Sequence, residues 1–466
     1  MKNISLSLVI CIFAGLIYGK GFEININCSQ VKYDSLYLLA YNGVSKYEKI
    51  YSVKYSEKSV FKDNKSLIPG IYILAGDTTA LTQIFISDSK NQNFSIALHN
   101  SKVIFENSPE NIAYMDYLGQ LKQYSDQFQE LDNNFNAIRR QGLPQYMMQT
   151  MVDSLIKSAT IIMRNKEQYQ REQIVKYEGY LLASYIRNEI EIANPPKEYY
   201  SNQLQMQNYL ATHYFDNFPW DDTRLINSPI PDEKFQNYAL LLYQLSDYHT
   251  TDTLLLNTLN KSKKSTAYYY KFFDKLEKII GSQTSPYWTE HLYILMLKHA
   301  LNQNEIEQTR SIRYKKELSR LDKNLPGSQV PNFKILLNNG DTTDLYHIEG
   351  EYLILYFQNP ECPTCIEVRD KLSRIETLNK AIINKKITFL TIYFEQNEAL
   401  WRSYLSSKAN PLYVHGWDYL NDIESNELYD TRVIPYMYLL DRNKKVIKKD
   451  IYWNEIEDYI KRIINN

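Results

Sequence analysis

The sequence predicts a three-part molecule: an N-terminal antiparallel β-sandwich, an all-α middle domain and a C-terminal α/β domain. Three observations predict it. Apolar residues recur with period two over residues 22–105, then three and four apart up to residue 324, and after that in strand-length runs that alternate with helical stretches. A change of period marks a change of secondary structure, because side chains alternate across a strand but return every 3.6 residues round a helix. At 466 residues the chain also exceeds one ordinary core, which points to about three domains.

Residues 1–21 come first. Lys2 is followed by the apolar run "ISLSLVICIFAGLIYG", then by the small residues Gly19 and Gly21, and then by strongly polar chain. That is the anatomy of a secretory signal peptide. As a permanent span the run is marginally short, and no later stretch reaches about 20 uninterrupted apolar residues. The expectation is an exported protein of the periplasm or cell envelope, cleaved near Gly19 or Gly21, with no stable membrane span afterwards. Cys11 lies inside the apolar run behind the bulky Ile10, which argues against a lipid anchor. With 53 basic and 54 acidic residues the net charge is -1, so nothing in the total argues for nucleic acid or an anionic membrane as a partner, and no nucleic acid is expected. The 41 tyrosines suit strand and helix packing and are no functional sign by themselves.

Residues 22–107 are the predicted sandwich. "FEININ" alternates Phe22, Ile24 and Ile26 with polar residues, and "SLYLLAY", "GIYILAG", "QIFISD", "FSIALH" and "KVIFE" follow between Asn, Asp, Ser and Gly clusters. Pro69 and Gly70 mark a turn before one strand. Cys28 reads as a small buried apolar residue.

Residues 108–325 are the predicted helical domain. In "PDEKFQNYALLLYQL" the residues Phe235, Tyr238, Leu242 and Leu245 share one helix face; Pro231 opens that helix, with Asp232 and Glu233 in its first turn. Similar amphipathic runs cover Asn111 to Phe135, Gln145 to Arg164, Tyr199 to Phe215 and Thr289 to Leu301. No fixed-period repeat emerges, so a bundle is expected rather than a solenoid. Adjacent Asp221 and Asp222 read as a cap or as solvated acids, and seven scattered His residues offer no HExxH spacing.

Residues 326–466 are the predicted α/β domain, entered through the linker "LPGSQVPNF". "FKILLNNGDTTDLYHI" reads as a hairpin turning at Asn339-Gly340, and "EYLILYFQN" as a strand buried on both faces. A helix after the cysteine pair, then "KITFLTIYF", a helix from Asn397 to Ser406, "YMYLLD" and a last helix near Ile456 to Ile464 complete the alternation.

The chemistry sits in "QNPECPTCIEVRDKL", where Cys362 and Cys365 are two residues apart. Structural zinc would need four ligands and no second pair exists; covalent haem would need His where Ile366 stands. No metal and no cofactor are therefore expected. Redox exchange needs only a strand that delivers one thiol to the start of a helix, with a second thiol one turn behind. "YLILYF" leads through Asn359-Pro360-Glu361 to a helix beginning at about Cys362, with Pro363 in its first turn. The helix dipole and unpaired N–H groups would favour a thiolate at Cys362, making it the attacking sulfur, and Cys365 would resolve the mixed disulfide.

On these residues the C-terminal part resembles a thioredoxin-fold domain of the TlpA/ResA type of thiol-disulfide oxidoreductase. The matching segments are "VPNFKILLNNGD", "YLILYFQNPECPTC" and "YDTRVIPYMYLLDRNKKVI". The resemblance implies a cis peptide bond before a proline opposite the dithiol, which is Pro435 preceded by Ile434, with the backbone of Ile434 offered to a substrate strand. An ordinary edge-strand start is the alternative for Pro435. The chain departs from the family pattern at Glu361, where Trp is frequent, at Tyr356, where thioredoxin has a buried acid, and at Val368, where a second acid is usual. The three-part layout, with "HYFDNFPWDDTRLINSPI" in its helical part, is similar to multidomain exported proteins of Bacteroidota. The expected function is disulfide exchange, running as a reductase, with protein disulfide or dithiol substrates and an upstream electron donor. A non-catalytic envelope binding or assembly protein, its thioredoxin-like part a recognition module, is the alternative.

Overall fold

The computed structural model describes residues 21–28, 33–43, 47–88, 92–99, 102–140, 144–245, 247–303 and 306–464. The predicted signal peptide, Gly21 apart, lies outside the described residues, as does Cys11. The chain forms two compact units, Met1–Ile280 and Gly281–Asn466.

In the first unit, β1 (Phe22–Cys28), β2 (Ser35–Tyr41), β3 (Tyr47–Lys54), β4 (Lys58–Asp63), β5 (Gly70–Gly76), β6 (Thr79–Ile86), β7 (Asn93–His99) and β8 (Lys102–Glu106) build two four-stranded sheets, ordered β4-β1-β7-β8 and β3-β2-β5-β6. Their inner faces share one core, where Phe22, Ile24, Ile26 and Cys28 of β1 meet Leu36, Leu38, Leu74 and Ile84. Pairing is antiparallel as expected except between β1 and β7, which run parallel. Cys28 is buried in this core.

Helices α1 (Pro109–Arg140), α2 (Gln145–Lys176), α3 (Leu181–Glu189), α4 (Gln203–His213), α5 (Pro229–Gln244), α6 (Tyr248–Ser262) and α7 (Thr266–Ile280) follow. β5 is buried on both faces, and next to it Asn111 of α1 clips β6 by accepting from the Phe85 N–H (2.8 Å) and donating to the Phe85 carbonyl (2.9 Å). The α5 face of Phe235, Tyr238, Leu242 and Leu245 is buried as its spacing predicts. Its start differs. Ser228 caps the helix, and Pro229 rather than Pro231 opens it, because the Ser228 hydroxyl can accept from the Ile230 N–H (3.3 Å). Asp222 caps a 3-10 turn, accepting from the Arg224 N–H (3.1 Å), and pairs with the Arg224 guanidinium (2.6 Å).

The second unit contains α8 (Glu290–Leu301), α9 (Gln308–Leu321), β9 (Lys334–Leu337), β10 (Thr342–Asp344), β11 (Tyr352–Phe357), α10 (Pro363–Ser373), α11 (Glu376–Ile383), β12 (Ile387–Tyr393), α12 (Glu398–Ser407), β13 (Val414–Trp417), α13 (Asp422–Ser425), β14 (Tyr436–Asp441), β15 (Val446–Lys449) and α14 (Ile456–Ile464). The sheet order is β10-β9-β13-β12-β11-β14-β15, with β11 parallel to β12 and antiparallel to β14. Leu353, Leu355 and Phe357 enter one core layer while Ile354 and Tyr356 enter the other, so the continuous apolar run is a central strand. Gly416 lets β13 fit beside β9, since a Cβ there would stand 2.4 Å from Ile335 Cγ2.

This unit begins upstream of the linker at Leu325–Phe333 and takes in α8 and α9. Polar anchors explain why. Lys449, 6% exposed at the end of β15, pairs with Glu290 of α8 (2.8 Å) and donates to the carbonyls of Leu321 (2.7 Å) and Lys323 (3.1 Å). A buried ammonium has to be fully partnered, and only α8 and the end of α9 supply these partners. Trp288 Nε1 also donates to Asp450 (2.6 Å). Among the described residues no helix is long and apolar enough to cross a membrane.

Candidate active site

β11 ends at Phe357, and Asn359 shapes the turn that follows. Its side-chain oxygen accepts from the Glu361 N–H (2.7 Å), its carbonyl accepts from the Cys362 N–H (3.2 Å), and its amide nitrogen donates to Glu395 (2.8 Å). Cys362 then occupies the cap position of α10 and Pro363 the first helical one, where its missing N–H breaks no bond. Cys362 Sγ accepts from the Cys365 N–H at 3.4 Å, which sets the sulfur over the helix start.

The two thiols differ in access. Cys362 is partly exposed, whereas Cys365 is fully buried. Burial is the main reason that the Cys365 thiol is pushed up to about 12; adjacent Cys362 adds to this, while the Asn359 N–H and the Arg369 charge oppose it. Cys362 therefore meets a partner from solution first, and Cys365 can be reached only from inside.

Cys362, Cys365, Ile434 and Pro435 come together. The Ile434–Pro435 peptide bond is cis, and the Ile434 carbonyl faces Cys362 Sγ at 4.0 Å. The loop before Ile434 is held from the helical side. Lys323 donates to the Glu427 carbonyl (2.5 Å), Asn324 to the Leu428 carbonyl (3.0 Å) and Gln283 to Asp430 (3.2 Å), while Arg320 pairs with Asp430 and Arg432 with Glu317 (3.4 Å).

Tyr356 fills the place of the missing acid. It is fully buried and its hydroxyl donates to the Cys365 carbonyl (3.2 Å). Burial, and then the neighbouring Cys365, raise its pKa, so it stays a neutral donor. Behind the dithiol lies a polar layer that reading by motif missed. Arg369, 6% exposed, donates to Gln358 Oε1 (2.7 Å) and lies over the Tyr404 ring at 5.0 Å. His415 Nε2 donates to the Asn410 carbonyl (2.9 Å), leaving Nδ1 to accept from the Thr391 hydroxyl (2.7 Å). Burial first, and the Arg369 charge after it, hold the His415 pKa down, which keeps the ring neutral. The available signal for Arg369 was its place four residues after Cys365 on a helix.

Comparison with known proteins agrees with this geometry. Residues 350–446 match the family model described as Thioredoxin-like, and residues 164–324 match a model described as a domain of unknown function (DUF5106). The C-terminal domain is therefore thioredoxin-like. The chain is similar to the crystal structure of a thioredoxin-like protein from Bacteroides caccae, at 26% identity and a TM-score of 0.54, covering 59% of this chain and 98% of that one. It is also similar to the C-terminal domain of an uncharacterized protein from Bacteroides fragilis, at 33% identity and a TM-score of 0.29, covering 30% of this chain and 98% of that one. A third similarity is to a domain of a possible thiol-disulfide isomerase from Cytophaga hutchinsonii, at 26% identity and a TM-score of 0.27, covering 31% of this chain and 96% of that one. No curated protein matches.

Proposed function

We propose that the protein is a thiol-disulfide oxidoreductase that works through Cys362 and Cys365. The observation that carries this reading is the asymmetry of the pair: a partly exposed sulfur over a helix start, with a buried thiol one turn behind it. Cys362, as thiolate, attacks a substrate disulfide, forms a mixed disulfide and expels one substrate thiolate, which takes up a proton. Cys365 then loses its proton and attacks Cys362 Sγ; the protein disulfide forms and the second substrate thiolate leaves. Ile434 and Pro435 form the lip beside the sulfurs, where the backbone of Ile434 can pair with an extended substrate segment. The direction we propose is reduction, in the periplasm or cell envelope after removal of the N-terminal segment, with protein or small-thiol substrates and an upstream donor of electrons. The kinship we propose is with TlpA-like proteins.

The reduction potential of the pair tests this. A value between about -270 and -120 mV supports exchange, whereas one below about -300 mV marks an inert bridge and returns the domain to a recognition module. The Cys365→Ala variant should accumulate mixed disulfides through Cys362 on incubation with oxidised envelope proteins. An empty trap argues the same way as a very low potential.

A further inference from the structure

A buried guanidinium stands behind the dithiol with no carboxylate beside it. Arg369 follows Cys365 by one turn on α10, is 6% exposed, and donates to the neutral Gln358 oxygen. Its charged plane lies over the Tyr404 ring. Among the described residues it forms no ion pair. A buried charge so placed is costly unless an anion forms near it. The buried groups around it do not supply one at rest, since Tyr356 from β11, Tyr404 from α12 and His415 from β13 are held neutral by burial, and Cys365 is held as the thiol.

We propose that Arg369 is a positioning residue that supplies the counter-charge for the Cys365 sulfur when that sulfur becomes an anion in the resolving step. The inference rests on the exchange reading above and deepens it. In many proteins of this fold a carboxylate manages the proton of the buried cysteine; here Tyr356 and Val368 stand where acids would, and a fixed positive charge acts instead. In the mixed disulfide Cys362 is neutral, so its repulsion of a second anion is gone. Cys365 then gives its proton to solvent, and its sulfur, favoured as an anion by the Arg369 charge one turn on and by the Asn359 N–H, attacks Cys362 Sγ. The Cys362–substrate bond breaks, the substrate sulfur leaves with the electron pair, and it is protonated. No further oxidant or reductant is needed.

Reduced protein mixed with dithiobis-nitrobenzoate reads the two steps separately, because one coloured thiolate is released when Cys362 attacks and a second when Cys365 resolves. In Arg369→Met the first release should keep its rate within about twofold. The pH midpoint of the second should rise by about one pH unit, slowing it about tenfold at pH 7. Arg369→Lys, which keeps the charge, should recover the second rate to within about threefold. If Arg369→Met does not fold, Arg369→Gln carries the same test. Two-phase release with an unchanged second midpoint in the uncharged variants, or a Lys variant as slow as the Met variant, overturns the role of Arg369 and leaves the exchange reading intact. Release of a single equivalent by the unaltered protein would instead overturn the exchange reading.

Discussion

At the scale of single residues, the dithiol shows what local packing adds to a motif. Among the cysteines of the described residues, solvent contact should make Cys362 the one that is rapidly alkylated in the folded, reduced protein, while Cys28 and Cys365 react only after denaturation. Peptide mapping after a short iodoacetamide pulse checks this, and equal labelling of Cys362 and Cys365 would contradict the exposure described here. Tyr356→Phe removes one buried hydroxyl and its bond to the Cys365 carbonyl, and should cost about 1 kcal/mol in urea unfolding. His415 offers a pH test. Its folded pKa lies below the unfolded value of about 6.5, so below that pH the unfolded chain binds the proton first. Its contribution is complete above about pH 6.5 and is lost as pH falls through that window. A His415→Gln variant should flatten this part of the stability profile.

At the scale of elements, most of what the sequence pattern announced was visible because it was periodic. The two-faced β11, the hairpin at Asn339-Gly340, where Gly340 takes a φ of +93°, and α14 all declare themselves in residue spacing. The short α3, the aromatic-rich α7 and the four-residue β13 did not, since "YYYKFF" suits a strand as well as a helix and four residues hold less than one readable period. In the site, Cys362, Cys365 and Pro435 were legible from the motif. Arg369, Gln358 and His415 were not, because their meeting depends on tertiary contacts between α10, β13 and the end of β11. The anchoring of the loop before Ile434 by α9 is likewise invisible in one dimension. Arg320→Ala should leave Asp430 with Arg432 (3.2 Å) and Gln283 (3.2 Å) as its remaining partners, destabilise the unit by roughly 2 kcal/mol, and speed amide exchange across residues 427–434. Unchanged exchange there would mean that α9 does not hold the loop. In the first unit, burial raises the Asp222 carboxyl, but the Arg224 and Ser184 hydrogen bonds outweigh it and hold the group below its usual value. That stabilisation is present above about pH 4 and fades as pH falls through the folded pKa.

At the scale of the whole molecule, the chain combines a sandwich with helices in one unit and a thioredoxin-like domain with two added helices in the other. A fragment starting at Gly281 retains Glu290, Leu321 and Lys323 as partners of Lys449 and the Trp288–Asp450 bond, whereas one starting at residue 326 loses them and opens Lys449 to water. The longer fragment should express as a folded domain. The shorter should be a few kcal/mol weaker, because it lacks the Lys449 pairing and the Trp288–Asp450 bond, hydrogen bonds to charged groups worth about 1.5–3 kcal/mol each. The anchoring of Lys449 reaches further than any single contact. Since one ammonium clasps the last strand, the start of α8 and the end of α9 together, those parts cannot melt one after another, and calorimetry of the Gly281–Asn466 fragment should trace a single endotherm whose shoulder appears only when that lysine is replaced.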